Sequence, residues 1–227
     1  MYILHIETST KICSVALSRD EELVECLERT EGMNHTALLA PMISQLLKSA
    51  SLKPGDLGAI SVSSGPGSYT GLRVGGSTAK AMAYSLNIPL VSIPTLVSLA
   101  WAGFHGYPAA DYVMPMVDAR RNEVYISLFD PEGNEIFPTS SLILEQGSLS
   151  FIPEKKTVVC CGDGAFKLDA LGLNTADMII NVDLVASARN LISPAFRLLS
   201  AKIFSDPMHF VPDYLKPPNI TQDRRGQ

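Results

Sequence analysis

A period of two dominates the first thirty residues. Tyr2 to Glu7 is a short apolar run, Cys13, Val15 and Leu17 alternate with Ile12, Ser14, Ala16 and Ser18, and Glu22 to Arg29 resumes after a polar turn at Arg19-Asp20-Glu21. This predicts an antiparallel meander of three strands. The pattern then shifts to helical spacing. From Asn34 or His35, the residues Leu38, Leu39, Met42, Ile43, Leu46 and Leu47 form one broad apolar face that ends near Ser51, before Pro54-Gly55. A β-branched run at Ala59 to Ser63, a glycine-rich stretch at Gly65 to Gly76 and a small-residue helix through about Leu86 follow. Asn87 is a break, Leu90 to Ile93 a strand, and Thr95 to about Gly103 a helix.

Gly103 to Asp111, with Gly106 and Pro108, reads as a boundary between lobes, and beyond it the pattern starts again. Tyr112 to Asp118 matches the first strand, Glu123 to Phe129 the second, and Asp130-Pro131-Glu132-Gly133-Asn134 turns toward a third. Shifted by 111 residues, Glu7 falls on Asp118, Val15 on Ile126 and Leu17 on Leu128, a weak internal repeat. Thr157 to Cys161 and Met178 to Asn181 read as strands, Phe166 to Leu171 as a short helix. A long helix is expected from Leu184 or Ser187 to Phe204, kinked or restarted at Pro194. The expected organisation is an N-terminal lobe over 1–106, a C-terminal lobe over 107–204, a segment at about 205–218 packed back on the first lobe, and a disordered tail over 219–227.

Composition narrows this. Hydrophobic residues are 46% of the 227 and charged ones 18%, which fits a globular chain with apolar surface to spare for a partner. No run approaches the roughly 20 apolar residues of a membrane span, and Met1 to Glu7 lacks the basic start of a secretion signal, so a cytoplasmic, membrane-free location is expected. The four cysteines show neither metal spacing nor a disulfide framework: Cys13 and Cys26 fall in separate strands, and Cys160 and Cys161 point to opposite faces of one. A net charge of −5 argues against unassisted nucleic-acid binding, and the basic pair Arg224-Arg225 sits in the polar tail Thr221 to Gln227.

The stretch Gly65-Pro66-Gly67-Ser68-Tyr69-Thr70-Gly71-Leu72-Arg73-Val74-Gly75-Gly76 joins a strand to a helix that Ser68 or Thr70 can cap. It is not a Walker A loop, because Leu72 follows Gly71 where a lysine is needed, and its GxGxxxG spacing is one residue too long for the dinucleotide fingerprint. Two readings stand: a tight turn with close helix packing, or a phosphate contact at the helix start. Gly71, Gly75, Gly76, Ser77, Ala79, Ala81 and Ala83 let another helix approach closely, in the same chain or in another. No GxSxG elbow occurs.

A meander, helix, strand and helix, twice over, with a carboxylate ending the first strand each time, is similar to the actin, Hsp70 and sugar-kinase superfamily. That fold is α/β, two-lobed and ribonuclease H-like, each lobe a mixed sheet flanked by helices. Within it, His5-Ile6-Glu7-Thr8-Ser9, the Gly65 to Gly75 run, Asp118-Ala119-Arg120 with Glu123-Val124-Tyr125, and Pro212 to Lys216 closely resemble the TsaB (YeaZ) family, over residues 3 to about 216. The resemblance implies a non-catalytic dimerising subunit of the bacterial machinery that places threonylcarbamoyl on N6 of adenosine 37 in tRNAs reading codons that begin with adenine. Its implied partners are the catalytic subunit TsaD and the ATPase TsaE. It implies a homodimer when alone, tRNA contact only through the complex, no cofactor of its own, and room for ATP or ADP at the complex interface. By the same analogy the partner face comprises His35, Leu38, Leu39 and Met42 of the first helix with Thr70, Leu72, Arg73, Gly75, Gly76, Ala79 and Ala83 of the second.

Two catalytic alternatives remain. A kinase or ATPase would rest on Glu7 and Asp118, with Thr8, Gly65, Gly67, Ser68 and Arg120 as nucleotide or lobe-junction contacts. Yet Thr8-Ser9-Thr10 and Ala119-Arg120-Arg121 lack the glycine turns that wrap a phosphate. An M22-type metallopeptidase would need the paired histidines of TsaD relatives, whereas here His35 is followed at i+4 by Leu39, which makes it a capping or interface residue. The family's usual tail arginine is replaced by Lys216, which keeps the charge and loses the bidentate fork.

Overall fold

A computed structural model describes residues 1–30 and 34–216; the expected tail over 219–227, with Arg224-Arg225, and Pro217-Pro218 lie outside the described residues. The chain forms two five-stranded sheets. The first contains β1 (Tyr2–Glu7), β2 (Cys13–Arg19), β3 (Glu22–Arg29), β4 (Leu57–Gly65) and β5 (Leu90–Pro94), in the order β3-β2-β1-β4-β5. The second contains β6 (Tyr112–Asp118), β7 (Glu123–Phe129), β8 (Glu135–Ile143), β9 (Val158–Cys161) and β10 (Met178–Asn181), in the order β10-β9-β6-β7-β8. Read from β8, the second order repeats the first. Each sheet pairs its first three strands antiparallel and its last two parallel. The weak repeat of the sequence is therefore a repeat of the fold, and its central strands β1 and β6 end in Glu7 and Asp118.

The helices α1 (His35–Ser49) and α2 (Tyr69–Leu86) cover one face of the first sheet. Leu39, Leu46, Ala79 and Ala83 close there on Leu4, Ile6, Val15, Val62 and Phe210. The strand β1 is buried nearly throughout, as a strand covered on both faces must be. Ser68 caps α2 by accepting from Gly71 N at 3.3 Å, and Asn87 ends it in the left-handed conformation. Thr70, the alternative cap, is exposed.

The other helices cross between the halves of the chain. From the first half, α3 (Thr95–Gly106) packs Leu96, Leu99 and Ala100 on Val113, Val117 and Val159 of the second sheet. From the second half, the 3-10 turn Ala188–Leu191 and α5 (Ile192–Ser200) bring Leu191 and Ala195 onto Val91 and Ile93 of the first. Where one long helix is expected between Leu184 and Phe204, two pieces form. Ser187 accepts from Arg189 N at 3.3 Å and starts the turn, and Pro194 falls in the first turn of α5, where its missing N–H is not needed. The short helix α4 is Phe166–Ala170.

Beyond α5 the chain returns over the first lobe. Ser205 N donates to Leu90 O at 2.8 Å and Asp213 N to Ser64 O at 2.7 Å, while Lys80 Nζ donates to Phe210 O at 2.8 Å. The Tyr214 ring then meets Tyr69 with centroids 4.8 Å apart. All four cysteines are free thiols. Cys160 and Cys161 point into separate clusters, and burial pushes Cys160 up to about 12 and Cys13 up to about 11. Among the described residues no helix is long and apolar enough to cross a membrane.

Candidate functional site

The repeated sheets turn the C-terminal ends of β1, β4, β6 and β9 toward one another, and a cleft of about 1180 Å3 lies between them. It is walled by the β1–β2 loop, the start of α2, the β6–β7 loop, Asp163 after β9, and Tyr214 to Lys216. A second hollow of about 720 Å3 lies at the far end of α2, and Asp206 is its one charged lining residue. The chemistry-bearing side chains are in the first.

The start of α2 is held by backbone contacts. Ser68 N donates to Ser9 O at 2.6 Å, and Thr8 Oγ1 donates to Gly71 O at 2.9 Å. A Cβ on Gly71 would lie 2.0 Å from Thr8 O, so only glycine lets the helix come this close to the strand end. Gly65 has φ +109° and space for no Cβ beside Asp213 O. The glycine run thus serves close packing within this chain, which was the first of its two readings.

Glu7, at the end of β1, is fully buried. Its Oε1 accepts from Ser9 N at 2.7 Å, and its Oε2 has no partner among the described residues. Burial pushes this carboxyl up, against the opposing pull of its hydrogen bonds. Asp118, at the end of β6, has a counter-ion. Its Oδ1 accepts from Lys167 Nζ at 2.5 Å and from Arg120 N at 2.8 Å, and Lys11 Nζ lies 4.0 Å from Oδ2. Desolvation raises the Asp118 carboxyl, but the Lys167 bond, the Arg120 N–H and the charges of Lys167 and Lys11 outweigh it, and the net shift is downward. Asp163 Oδ1 accepts from Asp118 N at 3.0 Å, and burial pushes its carboxyl up. Lys216 bonds to Glu123, which also accepts from Ser141 Oγ at 2.5 Å. Lys216 thus makes an ion pair across the cleft.

Of the expected contacts, Gly67, Ser68, Asp118 and Arg120 line the cleft, whereas Glu7, Thr8 and Gly65 lie behind its wall. Arg120 reaches Asp118 through its backbone N–H, and its side chain is exposed. The expected partner face divides in two. Leu39, Met42, Leu72, Gly75, Gly76, Ala79 and Ala83 are buried within the chain, Gly75 against Thr8 and Gly76 against Phe210 and Pro212. Thr70 and Arg73 are exposed and Leu38 half-buried. Ala37, Ala40, Pro41, Ser77 and Ala81 are also exposed on these helices. His35 is buried at the start of α1. His5, between Ser61 at 2.6 Å and Ser18 at 2.8 Å, is pushed down to about 3 by burial and stays neutral. No group of three or more His, Cys, Asp or Glu among the described residues is placed to hold a metal ion.

Lys11, Arg121, Lys167 and Tyr214 were missed by sequence reasoning. For Lys167 no local signal existed, since the five-residue helix α4 brings it to Asp118 from far along the chain. Arg121 had a signal, the doubled arginine in a hairpin loop. Arg120 and Arg121 take φ 75° and 50° in succession. Such left-handed backbone costs a non-glycine residue roughly 1–2 kcal/mol.

Two copies of one mixed-sheet unit, facing each other across a cleft with a carboxylate at each central strand end, define a two-lobed fold of the actin, Hsp70 and sugar-kinase type. A family model described as TsaD, tRNA N6-adenosine threonylcarbamoyltransferase, matches residues 29–141. The Haemophilus influenzae tRNA threonylcarbamoyladenosine biosynthesis protein TsaB is 33% identical over 174 residues, 73% of this chain and 70% of that protein. The Bacillus subtilis protein of the same name is 34% identical over 147 residues, 63% of this chain and 63% of its own length. The solved structure of YeaZ from Pseudomonas aeruginosa superposes with a TM-score of 0.77 at 24% identity, covering 94% of this chain and 100% of that one. The chain belongs to the TsaB (YeaZ) family.

Proposed function

We propose that this chain takes part in making threonylcarbamoyladenosine in tRNA, as the cytoplasmic, non-catalytic scaffold for N6-threonylcarbamoylation of adenosine 37 in tRNAs reading codons that begin with adenine. The observation that carries the reading is the match to the Haemophilus influenzae TsaB across most of both chains. In this reading the chain binds TsaD, assembles with TsaE, pairs with itself when alone, and leaves any ATP or ADP to the complex interface. The site chemistry supports it. Asp118 is engaged by Lys167, Glu7 is sealed behind the cleft wall, and the loops after both carboxylates lack a phosphate cradle. Leu39, in the place of a second metal-binding histidine, is buried in the core.

Association belongs to the outward side of α1 and α2, where small side chains such as Ala37, Ser77 and Ala81 permit close approach of another helix. Size-exclusion chromatography with light scattering tests the reading, with the chain alone and with the same organism's TsaD, and ATP hydrolysis measured on each peak. A homodimer replaced by a heterodimer, without hydrolysis by the chain alone, is expected. A monomer indifferent to TsaD that hydrolyses ATP, with the rate lost in Asp118→Asn, would put the kinase or ATPase reading first.

A further inference from the structure

The two loops that the repeat places opposite each other bring three cations to the mouth of the cleft. Lys11 comes from the β1–β2 loop, Arg120 and Arg121 from the β6–β7 loop. Both arginines are exposed, and neither forms an ion pair among the described residues. Lys11 is 72% exposed, with its nearest carboxylate oxygen at 4.0 Å. Of the carboxylates nearby, Asp118 is occupied by Lys167 and Glu123 by Lys216, while Asp163 accepts from Asp118 N. The left-handed backbone at Arg120 and Arg121 turns the β6–β7 hairpin and leaves both side chains in solvent. Beside them the Tyr69 and Tyr214 rings pack at 4.8 Å, with the Arg73 guanidinium 5.5 Å above Tyr69.

We propose that this mouth, with Lys11, Arg120 and Arg121 on its rim and Tyr69 and Tyr214 on its wall, is a contact site for the phosphodiester backbone of an RNA strand. This rests on the tRNA reading above. Phosphate is the group that exposed arginines without an ion pair, and a lysine held only at 4.0 Å from its carboxylate, take up, and aromatic rings beside them accept unstacked bases. A strand fits better than a free nucleotide. A polyphosphate needs backbone N–H groups converging on it, whereas here the cations stand apart on two loops that lack glycine. With a net charge of −5 the chain has no broad basic surface, so the contact is local and adds to what a partner holds.

The test is fluorescence anisotropy of an end-labelled tRNA transcript over a potassium chloride series, with the full chain alone and in its complex with TsaD, assembly being checked first by light scattering. Replacing both arginines (Arg120→Gln with Arg121→Gln) should weaken tRNA binding by the complex about ten-fold and flatten the log K against log salt slope by about one to two. Lys11→Gln, on the other loop, should weaken it by about three-fold, which excludes local unfolding of the β6–β7 loop as the cause. Lys53→Gln, exposed at the opposite end of β4, should change nothing. ATP should not displace the tRNA. Unchanged affinity and slope in both loop variants would overturn the proposal. So would ATP binding that disappears with the arginines while tRNA affinity stays, which would make a free nucleotide the ligand. Failure to assemble with TsaD would count against the scaffold reading alone; ultraviolet crosslinking of the labelled tRNA to the isolated chain at low salt would then decide this one, a crosslink lost with the two arginines supporting it and one that persists without them, or none at all, overturning it.

Discussion

Glu7 and Asp118 occupy the same place in the two copies of the repeat, and their environments are opposite. Each ends the central strand of its sheet and accepts a backbone N–H two residues on, Ser9 N for Glu7 and Arg120 N for Asp118. Yet Glu7 is sealed in without a cation and its carboxyl is pushed up, while Asp118 faces Lys167 and its carboxyl is held down. Topology set the position, and what packs behind each strand end set the charge. In the first lobe β4 feeds the 18-residue α2, whose glycines let it close over the strand end and shut water out. In the second, β9 feeds only the five-residue α4, which leaves the strand end open to the cleft and delivers a lysine to it. One half has become a packed platform and the other a charged wall.

The largest test of this contrast is Gly71→Ala. Its Cβ would meet the backbone oxygen of Thr8 at 2.0 Å, and neither strand nor helix can yield cheaply. A loss of about 3 kcal/mol or more in chemical denaturation is expected, the upper end of overpacking costs. Gly106→Ala, with nothing within 4 Å, is the neutral control. Gly75→Leu is unsuitable as a binding test for the same reason, because its Cβ would meet Thr8 Oγ1 at 2.2 Å and the fold would give way before any interface did.

On the charged side, Lys167→Met removes the cation from Asp118 while keeping the aliphatic stem. About 2–3 kcal/mol should be lost at neutral pH, in the range for hydrogen bonds to charged groups. The sign with pH is fixed by the downward shift of Asp118. Its contribution is complete above the ordinary carboxylate value of 3.8 and fades as pH falls through the lower folded value. Denaturation curves of wild type and variant should therefore converge in acid.

Glu7→Gln should act in the opposite sense. The folded carboxyl titrates above 4.5, so the wild type loses stability as pH rises from 4.5 through the folded value, and a neutral amide removes that loss. A gain of about 1 kcal/mol at pH 7.5, vanishing toward pH 4.5, is expected, comparable to relieving one unsatisfied buried acceptor. A destabilised Glu7→Gln at pH 7.5 would mean that the buried carboxylate is ionised and satisfied. The smallest effect on stability concerns the helices. Ala81→Arg on the outward side of α2 should shift stability by less than about 0.5 kcal/mol yet abolish association with TsaD in light scattering. Phe166→Arg, exposed on α4, should leave both unchanged.

The plan that lays Glu7 on Asp118 was legible in advance, and the contrast between them was not, for a physical cause. The strand and helix periods, the Asn87 break and the shift that lays Glu7 on Asp118 are local properties, carried by residues within a turn or a pleat of one another. The sequence by itself therefore determined the duplicated α/β plan, and its motifs, the Gly65 to Gly75 run above all, carried the resemblance to the family. It could not say whether the small residues of α2 face a partner or their own chain, because Gly75 and Ala79 read alike in either case. Only the tertiary structure put Thr8, Phe210 and Pro212 against that stripe and left the outward side of α2 to Ser77 and Ala81. It likewise decided the ionisation of the two carboxylates. Burial and a counter-ion such as Lys167 come from chain segments far apart in sequence, and no periodicity records which of them will meet.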